Sequence, residues 1–129
     1  MPDNGALEES EIARRLVELP SWRHADGAIQ RRFRTQNFKS TLMLVTAVGH
    51  LCEVAWHHPE MVVGYNTLVV KLWTHSAGGV TAKDFALAAK IEDVIGWQPA
   101  REAGGLTGPP DDPRHAYLLP DKERDRGPP

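Results

Sequence analysis

Apolar residues recur along the chain with two rhythms, one helical and one alternating, and the changes between them mark out the elements. Over residues 7–19, Leu7, Ile12, Leu16 and Leu19 follow near-helical spacing, and Pro20 stops that helix. Residues 21–35 read as a hairpin, with Asp26-Gly27 supplying the turn. In its second strand Ile29 and Phe33 share one face, and Gln30, Arg32 and Arg34 are expected to face water; Arg31 interrupts the alternation. Residues 39–56 return to a helical rhythm through Leu42, Val45, Val48, Cys52 and Ala55. Gly49 within that helix costs about 1 kcal/mol relative to alanine. Either a simple loss or a close approach by a neighbouring element accounts for its missing side chain.

Beyond Pro59 the pattern predicts two more strands, over residues 60–65 and 67–74. Leu68, Val70 and Leu72 alternate with Val69, Lys71 and Trp73, which puts Trp73 and His75 together on the opposite face. Gly78-Gly79 breaks the chain, Thr81 caps a final helix, and Asp84 completes a capping-box pair. Phe85, Ala88, Ile91 and Ile95 give that helix its core stripe. The order α-β-β-α-β-β-α predicts an α+β domain over residues 1–96: a four-stranded antiparallel sheet with helices packed mainly on one face. Residues 97–129, dense in Gly, Pro and charge, are expected to form an extended or disordered tail. Trp97, Tyr117, Leu118 and Leu119 are the tail residues able to dock on the domain or on a partner.

Charge narrows the function classes. A net charge of -2 over 129 residues implies no general attraction to nucleic acid or to an acidic membrane. The acidic start lacks the basic-then-apolar pattern of a secretory signal, and no apolar segment approaches the roughly 20 residues needed to cross a bilayer. A cytoplasmic protein is the expectation. The one cysteine, Cys52, excludes an intramolecular disulfide and reads as a buried, inert thiol.

The candidate chemistry lies in histidine. His57, His58 and His75 fall within a short stretch between a helix end and a strand end, whereas His24, His50 and His115 have no such company. Pro59 disfavours helix at His58 and makes the chain turn there. The pair can equally be polar surface, and three histidines can hold zinc, although adjacent residues rarely both reach one ion and no cysteine pattern supports a metal. Imidazole, with an ordinary pKa of roughly 6.5, offers both acid and base near neutral pH.

The spaced set Glu53, His57-His58-Pro59, Tyr65, His75 and Asp84 resembles the signature of the pterin-4a-carbinolamine dehydratases, also called dimerisation cofactors. Tyr65-Asn66, Thr74-His75 and the Gly79-Val80-Thr81 turn extend the likeness, which covers roughly residues 7–95. The resemblance implies an alpha-beta sandwich that dehydrates a 4a-hydroxytetrahydropterin to a quinonoid dihydropterin in tetrahydrobiopterin recycling. It implies no metal and no organic cofactor, and a homodimer or homotetramer. His57, His58 and His75 would then share acid, base and positioning duties. Glu53, one helical turn before His57, would orient it, and Pro59 would fix the backbone. Trp73 would be either an aromatic wall for the pterin or a packed side chain. Asp84 would be a cap first and a substrate contact second. The rival expectation is a non-catalytic module on the same scaffold, a transcriptional partner or assembly factor, with the tail as its docking segment.

Overall fold

The computed structural model describes residues 5–122; residues 1–4 and 123–129, which the expected domain and tail include, lie outside the described residues. The first helix, α1 (Glu9–Leu16), leads into a hairpin of β1 (Trp22–Ala25) and β2 (Ala28–Thr35). Helix α2 (Phe38–Ala55) follows, then β3 (Glu60–Val63), β4 (Thr67–Leu72) and α3 (Ala82–Ile95). A two-residue strand, β5 (Leu118–Leu119), ends the described order. The expected α+β order therefore stands, with a fifth strand that the sequence pattern did not indicate.

The strands run antiparallel in the order β1-β2-β4-β3. Asp26 and Gly27 both take positive φ, 54° and 76°, which matches the twist a two-residue hairpin turn needs. Ile29, Phe33, Leu68, Val70 and Leu72 point to one face and are buried there with Leu44, Val48 and Cys52 of α2 and Ala88 and Ile91 of α3. Leu7, Leu16 and Ile95 pack at the margin of the same core. Cys52 is buried, and that burial pushes its thiol up to about 11.

Helix α2 turns differently from its expected stripe. Leu44, not Leu42, joins Val48 and Cys52 in the core, and Leu42 and Ala55 are exposed. Six residues separate Leu42 from Val48, which at 3.6 per turn carries Leu42 well off the buried line. Beyond its own helix backbone and chain neighbours, no atom of the described residues lies within 4 Å of where a Gly49 side chain would begin, so none of the described elements approaches it closely. With 18 residues and a mean hydropathy of 1.2, α2 has the length and apolar composition of a membrane-crossing helix, the one such helix among the described residues. Its 18 residues match the length read from sequence, and its buried face is part of the domain core.

Strand β2 also departs from expectation. Gln30 and Arg34, expected to face water, are buried, whereas Arg32 is exposed. Gln30 turns its amide back to donate to Ala25 O at 2.9 Å, and Arg34 lies opposite Leu119 of the tail strand. Arg31 keeps the alternation after all. Its guanidinium stacks on Phe33 at 4.1 Å, donates to Glu92 of α3 at 2.9 Å and donates to Asp121 at 2.7 Å. Trp22 Nε1 donates to the same Glu92 carboxylate.

Strand β1 pairs only with the first half of β2, through residues 28–31. The open edge beyond is taken by β5, which pairs Leu118 with Thr35 and Leu119 with Arg34. Gln36 N donates to Tyr117 O at 3.0 Å, and Ser21 Oγ donates to Asp121 at 2.5 Å. Tyr117 and Leu118 pack on the core margin, and burial pushes the Tyr117 phenol up. Trp97, by contrast, is exposed and donates to Glu102 at 2.9 Å.

Candidate functional site

The site begins where α2 ends. Trp56 takes a left-handed conformation, with φ 53° and ψ 46°. Its N–H donates to Glu53 O at 3.2 Å, and His57 N reaches back to Cys52 O at 3.1 Å. That pair of bonds is a Schellman stop, usually built on glycine because other residues pay for a positive φ. The stop swings His57 off the helix line. Pro59 then separates the turn from β3, which begins at Glu60.

Because of that swing, the two adjacent histidines find different carboxylates. His57 Nε2 lies 2.5 Å from Asp84 Oδ1, and His58 Nε2 lies 2.9 Å from Glu53 Oε1. A carboxylate only accepts, so each Nε2 is the donor, which in a neutral imidazole leaves the lone pair on Nδ1. The expected Glu53–His57 pairing is therefore replaced by Glu53–His58. One turn of helical spacing relates Glu53 to residue 57 only while the helix continues, and it stops at Ala55. The Glu53–His58 pair is solvent-exposed, and the ring of Trp56 meets His58 edge-on at 5.0 Å.

Asp84 is fully buried. Its Oδ2 accepts from Thr81 N at 2.8 Å, closing the capping box of α3, and from Thr74 Oγ1 at 2.9 Å. Thr74 and Thr81 hydroxyls also meet, at 2.7 Å. A buried carboxylate is costly unless donors surround it, and here three do. Asp84 thus does more than cap: one oxygen holds the helix start and the other holds His57.

His75 opens a short 3-10 turn, His75–Ala77, directly after Thr74. Its exposed ring lies 4.6 Å from that of Trp73 at a 45° tilt, so the two side chains do share a face. Both line a cleft of about 460 Å³ on the side of the sheet away from the helices. Thr74, between them in sequence, ties this group to Asp84 and so to His57. Thr74 and Trp56 were not singled out as site residues from sequence. A capping acid reached by a histidine implies a further donor, which is the signal for Thr74; nothing in the sequence signalled the left-handed Trp56.

A sequence profile of the Pterin 4 alpha carbinolamine dehydratase family matches residues 5–94. The chain belongs to this family. A Chloroflexus aurantiacus relative, whose pterin-4-alpha-carbinolamine dehydratase name is itself provisional, is 46% identical over 90 residues, covering 70% of this chain and 97% of the relative. An Aquifex aeolicus relative with the same provisional name is 40% identical over 89 residues, covering 69% of this chain and 90% of its own. Among solved structures, a transcriptional coactivator/pterin dehydratase from Brucella melitensis superposes with a TM-score of 0.64 at 34% identity. It covers 69% of this chain and 97% of that one.

The pterin-4a-carbinolamine dehydratase match takes in His57, His58, His75 and Asp84 and stops before β5. The strand that closes the β2 edge is therefore an addition to the matched family domain. Among the described residues, no group of three or more His, Cys, Asp or Glu side chains is placed to share a metal ion.

Proposed function

We propose that this chain is a hydro-lyase that dehydrates a 4a-hydroxytetrahydropterin to a quinonoid dihydropterin, returning tetrahydrobiopterin to use after a hydroxylase has spent it. The observation that carries the proposal is the buried Asp84 carboxylate on His57 Nε2, inside the matched family domain. An acid must protonate the 4a-hydroxyl as the carbon–oxygen bond breaks, and a base must take the proton from the adjacent ring nitrogen. The electron pair of that N–H bond becomes the new carbon–nitrogen double bond, and water leaves. A carboxylate fixed on Nε2 orients the imidazole and stabilises the positive charge it gains when Nδ1 takes a proton, as in a triad. His58, with Glu53, and His75, beside Trp73, supply the complementary acid and the positioning. Pro59 holds the turn between them. Neither a metal nor an organic cofactor has a part in this chemistry.

The deciding measurement is dehydration of 4a-hydroxytetrahydropterin, generated in place by a phenylalanine hydroxylase, with wild type beside His57→Ala, His58→Ala and His75→Ala. Wild type is expected to accelerate it, and at least one variant to lose on the order of a hundredfold. A folded wild type that leaves the spontaneous rate unchanged would sink the proposal. It would favour the second reading, a non-catalytic binding module, which the double description of the Brucella melitensis structure supports.

The protein acts, on this reading, in the cytoplasm on a small molecule, with neither nucleic acid nor membrane as partner, and as a homodimer or homotetramer. Phe38, Leu42, Met43 and Val54 leave the outer side of α2 apolar and exposed, which supports helix-to-helix association. Sedimentation equilibrium should give a multiple of the chain mass for wild type and a lighter species for Leu42→Glu with Met43→Glu. A wild type that stays monomeric at every concentration would refute the oligomer.

A further inference from the structure

Two kinds of contact hold the tail to the domain, one that ignores side chains and one that reads them. Main-chain pairing sets Leu118 against Thr35 and Leu119 against Arg34. Gln36 adds its N–H on Tyr117 O at 3.0 Å and its side-chain amide on Ala116 O at 3.4 Å. Side chains then fix which sequence fits. Tyr117 and Leu118 pack at the core margin, and Asp121 accepts from Ser21 Oγ at 2.5 Å and from Arg31 Nη1 at 2.7 Å. Arg31 keeps its place by other means as well, stacked on Phe33 and donating to Glu92, which Trp22 Nε1 also holds. The last residue that β1 pairs on β2 is Arg31, and α2 starts at Phe38. Between them runs a slot along residues 32–36, apolar towards Gln36 and cationic at Arg31.

The segment that leads from α3 to this slot is exposed throughout residues 100–107, and the side-chain bonds of Trp97 and Arg114 stay within it, on Glu102 and Asp112. It lies beyond the matched family domain, residues 5–94. We propose that the slot is a docking site for an extended segment of another protein, one with a Tyr-Leu-like pair followed three residues later by an acid. Residues 116–121 cover the site as a tethered stand-in. The proposal goes beyond the dehydratase reading and does not rest on it. A strand added to a sheet edge takes its affinity from the main chain and its specificity from side-chain pockets, which is the division of contacts found here. A flexible link keeps the chain's own tail near the slot at an effective concentration of about 1 mM. A second copy brings the same residues without that advantage and does not displace the first. A different protein with a better-fitting segment does.

The probe is a fluorescent peptide of residues 114–122, followed by anisotropy against two full-length proteins. One is wild type; the other carries Tyr117→Ala, Leu118→Ala and Asp121→Ala, which release the tail and leave the slot residues untouched. The variant should bind the peptide with a Kd on the order of tens of micromolar, and wild type at least roughly thirtyfold more weakly, because its own tail must leave first. Asp121→Asn in the peptide should weaken binding to the variant by about tenfold. A variant that melts cooperatively yet binds no peptide at about 1 mM would overturn the docking site. Equal binding to both proteins would also overturn it, since the peptide would then sit elsewhere. Wild-type chains that fill the variant's slot more tightly than the free peptide would assign the slot to a second copy and refute the partner proposed. Hydrogen exchange on wild type alone decides the matter if the variant does not fold. The Gln36 amide, released whenever the tail leaves, should exchange at least roughly tenfold faster than that of Val70 in the sheet centre. Equal protection of the two would make the tail a fixed strand and end the proposal.

Discussion

Replacing Asp84 with asparagine is expected to lower kcat for 4a-hydroxytetrahydropterin dehydration by on the order of a hundredfold, with KM changed far less. The carboxylate serves three donors at once: His57 Nε2, Thr74 Oγ1 and Thr81 N. An amide of the same shape has one accepting oxygen in place of two, and its nitrogen presents a donor to one of those three. If the oxygen stays on the helix cap, His57 meets an N–H where it had an acceptor, and its proton moves to the other ring nitrogen. The base is then in the wrong tautomer. The buried mismatch should also cost about 1–3 kcal/mol of stability, so rates belong well below the melting temperature. An Asp84→Asn protein with wild-type kcat would reduce Asp84 to a helix cap and remove it from the chemistry.

Deleting residues 112–129 is expected to lower stability by about 2–4 kcal/mol, or roughly 8–15 °C in melting temperature. The deletion removes the β5 pairing, the Gln36–Tyr117 bond and the apolar packing of Tyr117 and Leu118. It also takes Asp121 from Arg31, whose side chain is only 11% exposed, and leaves Glu92 as the carboxylate partner of that guanidinium, beside Arg32 O and the Phe33 ring. The entropy of the freed tail offsets part of this loss. Turnover at low temperature should be spared, because among the described residues no tail atom bonds His57, His58 or His75. A truncated chain that melts normally yet loses turnover would instead tie the tail to the site. A truncated chain that melts as wild type and turns over normally would show that the docked strand contributes nothing.

Much of the domain was legible because its signals are local. The Asp26-Gly27 turn, the Leu68-Val70-Leu72 alternation and the Thr81/Asp84 cap each depend on neighbours within a few residues, and each is found as read. The errors arose where a distant element decided the outcome. Gln30 and Arg34 look solvent-facing on an isolated strand, but β2 is central and its free edge is covered from the far end of the chain. Arg31 looks like a break in the pattern until Glu92 and Asp121 are brought to it. The histidines were singled out from their spacing, and the partner expected for Glu53 was the wrong one of the pair. Helical geometry pairs Glu53 with residue 57, and only the left-handed Trp56 hands that glutamate to His58.

That exchange gives two neighbouring residues opposite folding histories. His58 and its glutamate are 5 positions apart, so their contact needs little more than one helix end. His57 and its aspartate are 27 positions apart, and they meet only after β3 and β4 have paired and α3 has docked. Loop closure over that span must be completed before the contact exists. A refolding chain therefore acquires its orienting carboxylate among its last events. Recovery of activity after dilution from denaturant should track the slowest structural phase and not the formation of α2.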